Sequence, residues 1–120
     1  MKVLVADDDL DQLTLRCLLL ERSGFNTLPA SDAEAALAVA AEERPECAVL
    51  DLRFPTEESG FQLVRDLKSL NSAIHLLLLT GSNAANVAHH REAELIDAIL
   101  QKGSTSAALV RKLKAIERQV

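Results

Sequence analysis

Lys2-Val3-Leu4-Val5-Ala6 runs directly into Asp7-Asp8-Asp9. The apolar stretch is short, rich in Val and Leu, and does not alternate with polar residues. That is the pattern of a strand covered on both faces, as in a parallel sheet. The aspartates close it at its carboxyl end. The pattern returns at Phe25 to Leu28, at Cys47 to Leu52, at Ile74 to Thr80 and at Leu95 to Gln101.

Helical periodicity fills the intervals. Leu10, Leu13, Cys17 and Leu20 share one stripe, and Gly24 ends that helix. Ser31 and Glu34 have the spacing of a capping box before an Ala-rich helix that stops ahead of Pro45. Phe54 to Ser59 reads as an irregular acidic loop, followed by a helix from about Gly60 to Leu70. A further helix is predicted from Asn83 to about Glu94. A last one is capped by Ser104, Thr105 or Ser106. Strand and helix thus alternate five times, which predicts an α/β, doubly wound parallel five-stranded sheet with helices on both faces. No linker or low-complexity segment interrupts residues 1–120, so the expectation is a single domain.

Composition narrows the function. The 120 residues are 48% hydrophobic and 26% charged, the balance of a globular chain. Aromatics are 2%, three Phe with no Trp or Tyr, too few for a base-stacking platform. A net charge of -5 speaks against direct binding to nucleic acid or to an anionic membrane surface. No apolar run approaches the roughly 20 residues that span a bilayer, and the start is too short for a signal peptide. The expectation is a soluble, cytoplasmic protein. Cys17 and Cys47 sit in apolar stretches and read as buried free thiols. His89 and His90 are adjacent and would point apart on a helix, and His75 interrupts an apolar strand, so the histidines suggest no metal site.

Ligands of doubly wound sheets bind beyond the carboxyl ends of the strands. The residues predicted there are Asp7 and Asp8 after the first strand, Asp51 in the third, Thr80 after the fourth and Lys102 after the fifth. Asp51 is the most telling, because a carboxylate within Ala48-Val49-Leu50-Asp51-Leu52 is costly without a partner. Gathered carboxylates repel one another unless a cation lies among them. Oxygen-only ligands suit a hard divalent ion, Mg2+ first. With the Thr80 hydroxyl and the Lys102 ammonium nearby, the set describes a site for a metal-bridged phosphoryl group.

Val3-Leu4-Val5-Ala6-Asp7-Asp8-Asp9, Val49-Leu50-Asp51-Leu52-Arg53-Phe54-Pro55, Leu79-Thr80-Gly81 and Leu100-Gln101-Lys102 together resemble the signature blocks of the response-regulator receiver domain of two-component signalling. The resemblance covers essentially the whole chain. It implies the CheY-like, flavodoxin-like (βα)5 fold with strand order 2-1-3-4-5. It also implies a single receiver domain over 1–120 with no output domain in this chain. Asp51 is implied as the phosphoacceptor, taking its phosphoryl group from a phosphohistidine on a sensor histidine kinase or phosphotransfer protein. Asp8 would bind Mg2+ directly, Asp7 mainly through water, and the Arg53 backbone carbonyl would add a ligand. Thr80 and Lys102 would contact phosphoryl oxygens. Such a protein is a signalling phosphoacceptor with self-phosphorylation and self-dephosphorylation chemistry, not a turnover enzyme. Its implied docking face is formed by the fourth helix, fifth strand and fifth helix, for a downstream protein or for a second copy in a homodimer.

The chain departs from the family pattern at three places. Gly103 follows Lys102 where the family usually has Pro. Ile99 stands where an aromatic switch residue is frequent. The glycine after Pro55 arrives one residue late, at Gly60, which predicts an extended acidic loop Thr56-Glu57-Glu58-Ser59 beside the site. Charge is also uneven: residues 102–120 hold five basic residues and one acidic, a net of +4, leaving -9 for residues 1–101. The last helix is expected to bury Leu109, Leu113 and Ile116 and to expose Arg111, Lys112, Lys114 and Arg118, a basic surface suited to an acidic target. Two other readings share parts of the pattern. One is a receiver-like interaction module that works without phosphorylation. The other, more remote, is a haloacid-dehalogenase-like phosphatase with Asp7 of Asp7-x-Asp9 as nucleophile; it would leave Asp51 without a role.

Overall fold

In the computed structural model, residues 1–52, 54–81, 91–101 and 106–119 are described. The order is β1 (Lys2–Ala6), α1 (Leu10–Arg22), β2 (Asn26–Ala30), α2 (Ala33–Glu43), β3 (Cys47–Asp51), α3 (Glu57–Leu70), β4 (His75–Thr80), a 3-10 turn (Arg91–Leu95), β5 (Ala98–Gln101) and a last helix (Ser106–Gln119). All strand pairs are parallel and the order across the sheet is β2-β1-β3-β4-β5. The predicted fold class and strand order both hold.

The unbroken apolar strands have two covers because alternate side chains leave opposite faces. Leu4, Ala6, Ala48, Leu50, Leu76 and Leu78 pack with Ala36 and Ala40 of α2 and with Val64 and Leu67 of α3. Val3, Val5, Val49, Leu77 and Leu79 pack with Leu13 and Leu20 of α1 and with Leu109, Leu113 and Ile116 of the last helix. All three phenylalanines are buried, so the few aromatic rings serve the core.

Several boundaries differ from the sequence reading. Phe25 does not open β2. It closes α1: with Ser23 as cap, Gly24 at φ 96 donates to the Glu21 carbonyl and Phe25 donates to the Leu20 carbonyl. Phe25 and Leu20 then share one core, as a Schellman termination requires. Pro29 is tolerated in β2 because that strand lies at the sheet edge. Asp32, not Ser31, caps α2, its carboxylate accepting the Ala35 N–H at 2.7 Å. Leu10 is 64% exposed and lies off the buried stripe. The stretch at Leu95 is the end of a 3-10 turn, and β5 begins only at Ala98.

The expected acidic loop is the largest correction. Thr56 caps α3, its hydroxyl accepting the Ser59 N–H at 3.1 Å, and Glu57 and Glu58 occupy the first helical turn. Acidic side chains there meet the positive end of the helix dipole. Gly60 therefore lies inside the helix, where a Cβ would collide with the Leu52 carbonyl oxygen. Only glycine lets α3 lie that close to the residue following Asp51. The N-terminal part of the predicted helix at Asn83, with His89 and His90, lies outside the described residues. So do Arg53, Lys102, Gly103, Ser104 and Thr105.

Candidate functional site

Register places the site. Ala6 of β1 is level with Leu50 of β3, and Asp51 is level with Leu79 of β4. Asp7, Asp51 and Thr80 thus end three adjoining strands on one edge of the sheet. Asp7, Asp51 and Thr80 are all buried, whereas Asp8 is exposed. One carboxylate oxygen from each of Asp7, Asp8 and Asp51 lies within 4.8 Å of the others. Among the described residues, these three aspartates are the group able to hold a metal ion. Four of the site residues expected from the sequence are therefore brought to one place; Arg53 and Lys102 lie outside the described residues.

Neighbouring aspartates have separate tasks. Asp9 is a helix cap: its carboxylate accepts the Asp11 and Gln12 N–H groups at 3.0 and 3.2 Å. Its own N–H donates to Asp7 Oδ1 at 2.9 Å. Asp7 Oδ2 accepts from Arg16 Nη1, also at 2.9 Å, in an ion pair whose side chains are 1% and 13% exposed. The sequence reading missed Arg16. Its signal was available, because Arg16 falls three residues after Leu13 and four before Leu20, a cation within the buried stripe of α1. A charge at such a position needs a partner nearby.

The donor set fits the ion expected from the sequence. It consists only of carboxylate oxygens, with no sulfur or imidazole, as a hard cation prefers. One exposed member, Asp8, leaves an approach from solvent.

Groups elsewhere are quieter. Burial, with the nearby Asp97 charge added, pushes the Cys47 thiol up to about 12, so it stays protonated and unreactive. Burial also raises Cys17, and both remain free thiols. His75 lies at the opposite end of the sheet, with Nδ1 3.5 Å from Asp97 Oδ1. No helix among the described residues is long and apolar enough to cross a membrane.

Known proteins resemble this chain in sequence and fold. A family description, response regulator receiver domain, matches residues 3–114. The transcriptional regulatory protein PrrA of Mycobacterium bovis is 33% identical over 121 residues, covering 98% of this chain and 50% of PrrA. The alkaline phosphatase synthesis transcriptional regulatory protein PhoP of Bacillus subtilis is 37% identical over 82 residues, or 68% of this chain and 34% of PhoP. The chain thus spans half or less of the length of these curated relatives. Among solved structures, a response regulator receiver domain protein from Clostridium thermocellum superposes with a TM-score of 0.87 at 27% identity, covering 98% of this chain and 95% of that one.

Proposed function

The chain belongs to the response-regulator receiver family of two-component systems, and from that premise we propose that Asp51 accepts a phosphoryl group from a phosphohistidine on a sensor histidine kinase or phosphotransfer protein. The observation that carries this reading is the strand register, which sets Asp7, Asp51 and Thr80, all buried, at the ends of adjoining strands. A carboxylate oxygen of Asp51 attacks phosphorus, the P–N bond to the imidazole breaks, and the new P–O bond makes an acyl phosphate. Phosphoryl transfer asks little covalent chemistry of a protein; positioning and charge neutralisation dominate.

Receiver domains generally bind Mg2+ at an acidic pocket. Here Asp7, Asp8, Asp51 and the Arg53 backbone carbonyl would hold it, and when bound it would neutralise charge on the phosphoryl oxygens. The Thr80 hydroxyl donates to one phosphoryl oxygen and the Lys102 ammonium to another. Asp7 makes a poor nucleophile, since its oxygens already accept from Asp9 and Arg16. That weighs against the phosphatase reading.

The 120 residues act as one receiver and signal by phosphorylation-dependent contact with another protein, not by catalytic turnover. The face around β5 and the last helix serves that contact. Leu109, Leu113 and Ile116 are buried as expected, with Arg111, Lys112, Lys114 and Arg118 exposed. Lys114 is folded back, donating to the Ser23 carbonyl at 3.1 Å and lying 5.4 Å from the Phe25 ring centroid. Ile99, half-buried against the α2–α3 side of the core, has no ring to swing, so the switch runs through Thr80 and its surroundings.

The test is intact mass after incubation with acetyl phosphate, with and without Mg2+. The expected result is one phosphoryl group added only with Mg2+, and none in an Asp51→Asn variant. Equal labelling of that variant removes Asp51 from its role, and labelling on Asp7 favours the phosphatase. Partner binding that ignores Asp51→Asn favours the phosphorylation-independent module.

A further inference from the structure

The Arg16–Asp7 pair has a consequence for the metal site that the carboxylate cluster alone does not. Asp7 is fully buried, and its two oxygens are engaged by different groups of the same chain: Oδ1 by the Asp9 N–H and Oδ2 by the Arg16 guanidinium, each at 2.9 Å. Arg16 is held in place by its helix. Asp9 caps α1 at one end, the Gly24–Phe25 turn closes it at the other, and Leu13 and Leu20 bury the face that carries it. The guanidinium is mostly buried as well, so solvent screens it little.

We propose that Arg16 is a built-in counter-ion of the acidic centre, which satisfies Asp7 when no metal is bound and weakens Mg2+ binding by competing for the same carboxylate. The inference rests on the metal reading above. Three carboxylates held together without a cation repel. Arg16 cancels one of those charges permanently, so the metal-free fold does not depend on an ion. The same positive charge then opposes a divalent cation arriving beside Asp7, and that cation must share an oxygen set already in use. Arg16 is thus a positioning residue for Asp7. It sets the Mg2+ concentration at which the site fills and does not touch the reacting atoms.

The experiment is Mg2+ titration of the whole chain by calorimetry, paired with thermal melts in EDTA and in MgCl2, for the parent, Arg16→Met and Arg16→Lys. Arg16→Met is expected to melt lower than the parent in EDTA, to gain more from MgCl2, and to bind Mg2+ about tenfold more tightly, the scale of removing one positive charge near a divalent ion. Arg16→Lys keeps the charge and stays near the parent. A purely structural role makes the opposite forecast: a lower melt with Mg2+ affinity unchanged or weakened. That result overturns the proposal. Should Arg16→Met fail to fold, Arg16→Gln removes the charge while keeping a donor and must still tighten Mg2+ binding. Measurable and equal affinity in all variants overturns the role of Arg16 alone. No Mg2+ binding by the parent or by any variant overturns the metal reading, and this proposal with it.

Discussion

The two ends of the sheet both carry acidic residues, and they use them oppositely. At the amino ends of the strands, each carboxylate meets a backbone donor. Glu46 Oε2 accepts the Lys2 N–H at 2.7 Å, and Asp97 Oδ2 accepts the Leu76 N–H at 2.6 Å. Each of these bonds gives a backbone N–H near a strand start its acceptor, so the two acids complete local hydrogen bonding. At the carboxyl ends, Asp7, Asp8 and Asp51 converge on one another as well, one oxygen from each lying within 4.8 Å of the others, while Asp7 also accepts from the Asp9 N–H and from Arg16. Acids at the amino end therefore read as structure. Acids at the carboxyl end read as a site, because their charge calls for a cation that the strands cannot supply.

That contrast can be broken by exchanging which end is damaged. The largest effect is expected for Asp7→Ala, which strands the mostly buried Arg16 guanidinium without its carboxylate. Breaking one side of a buried ion pair costs about 3–5 kcal/mol. Denaturant unfolding without metal measures it, and an Asp7→Ala/Arg16→Met double variant should recover most of the loss. If the single variant is as stable as the parent, the pair contributes nothing. Asp97→Ala at the other end should cost less, about 1–2 kcal/mol for the lost bond to Leu76. It should leave Mg2+ affinity and labelling of Asp51 at parental values, and any change in either would join the two ends functionally.

The smallest effect sharpens the amino end alone. Cys47 lies in the first position of β3, with its thiol pushed up to about 12 by burial and by Asp97. A pKa raised in the folded chain means that the unfolded chain gives up its proton first as pH rises. Stability is then complete below about pH 9 and declines from there toward pH 12. Denaturant melts at pH 8 and pH 10.5 measure this, and Cys47→Val should reduce the slope between them. An unchanged slope would mean that the thiol does not contribute.

The sequence carried much of this, for reasons visible at particular residues. Strands buried on both faces must be apolar throughout, so β1, β3 and β4 stand out as runs, and the first polar residues after or within them mark the strand ends. Asp7, Asp51 and Thr80 are legible for that reason. The beginnings of helices were harder. Thr56 and Asp32 are caps by virtue of one hydrogen bond each, and neighbouring Ser or Glu residues offer equally good sequence patterns. The acidic segment 57–59 read as loop because acids are common in loops, yet the dipole makes acids equally at home in a first helical turn.

Apolar periodicity by itself determined that the chain forms a doubly wound sheet, and the positions of polar residues along it determined which side chains gather at one edge, since period and strand ends are local properties. Only the tertiary structure decided how those side chains are shared out. Asp9 faces its own helix, Asp8 faces solvent, and Asp7 turns inward to an arginine nine residues further along the chain. That pairing depends on how α1 is seated on the sheet, which follows from Leu13 and Leu20 packing into a core built from distant strands. The place of Arg16 on the buried stripe of α1 was legible in the sequence, but its pairing with Asp7 is set by long-range packing and emerged only from the fold.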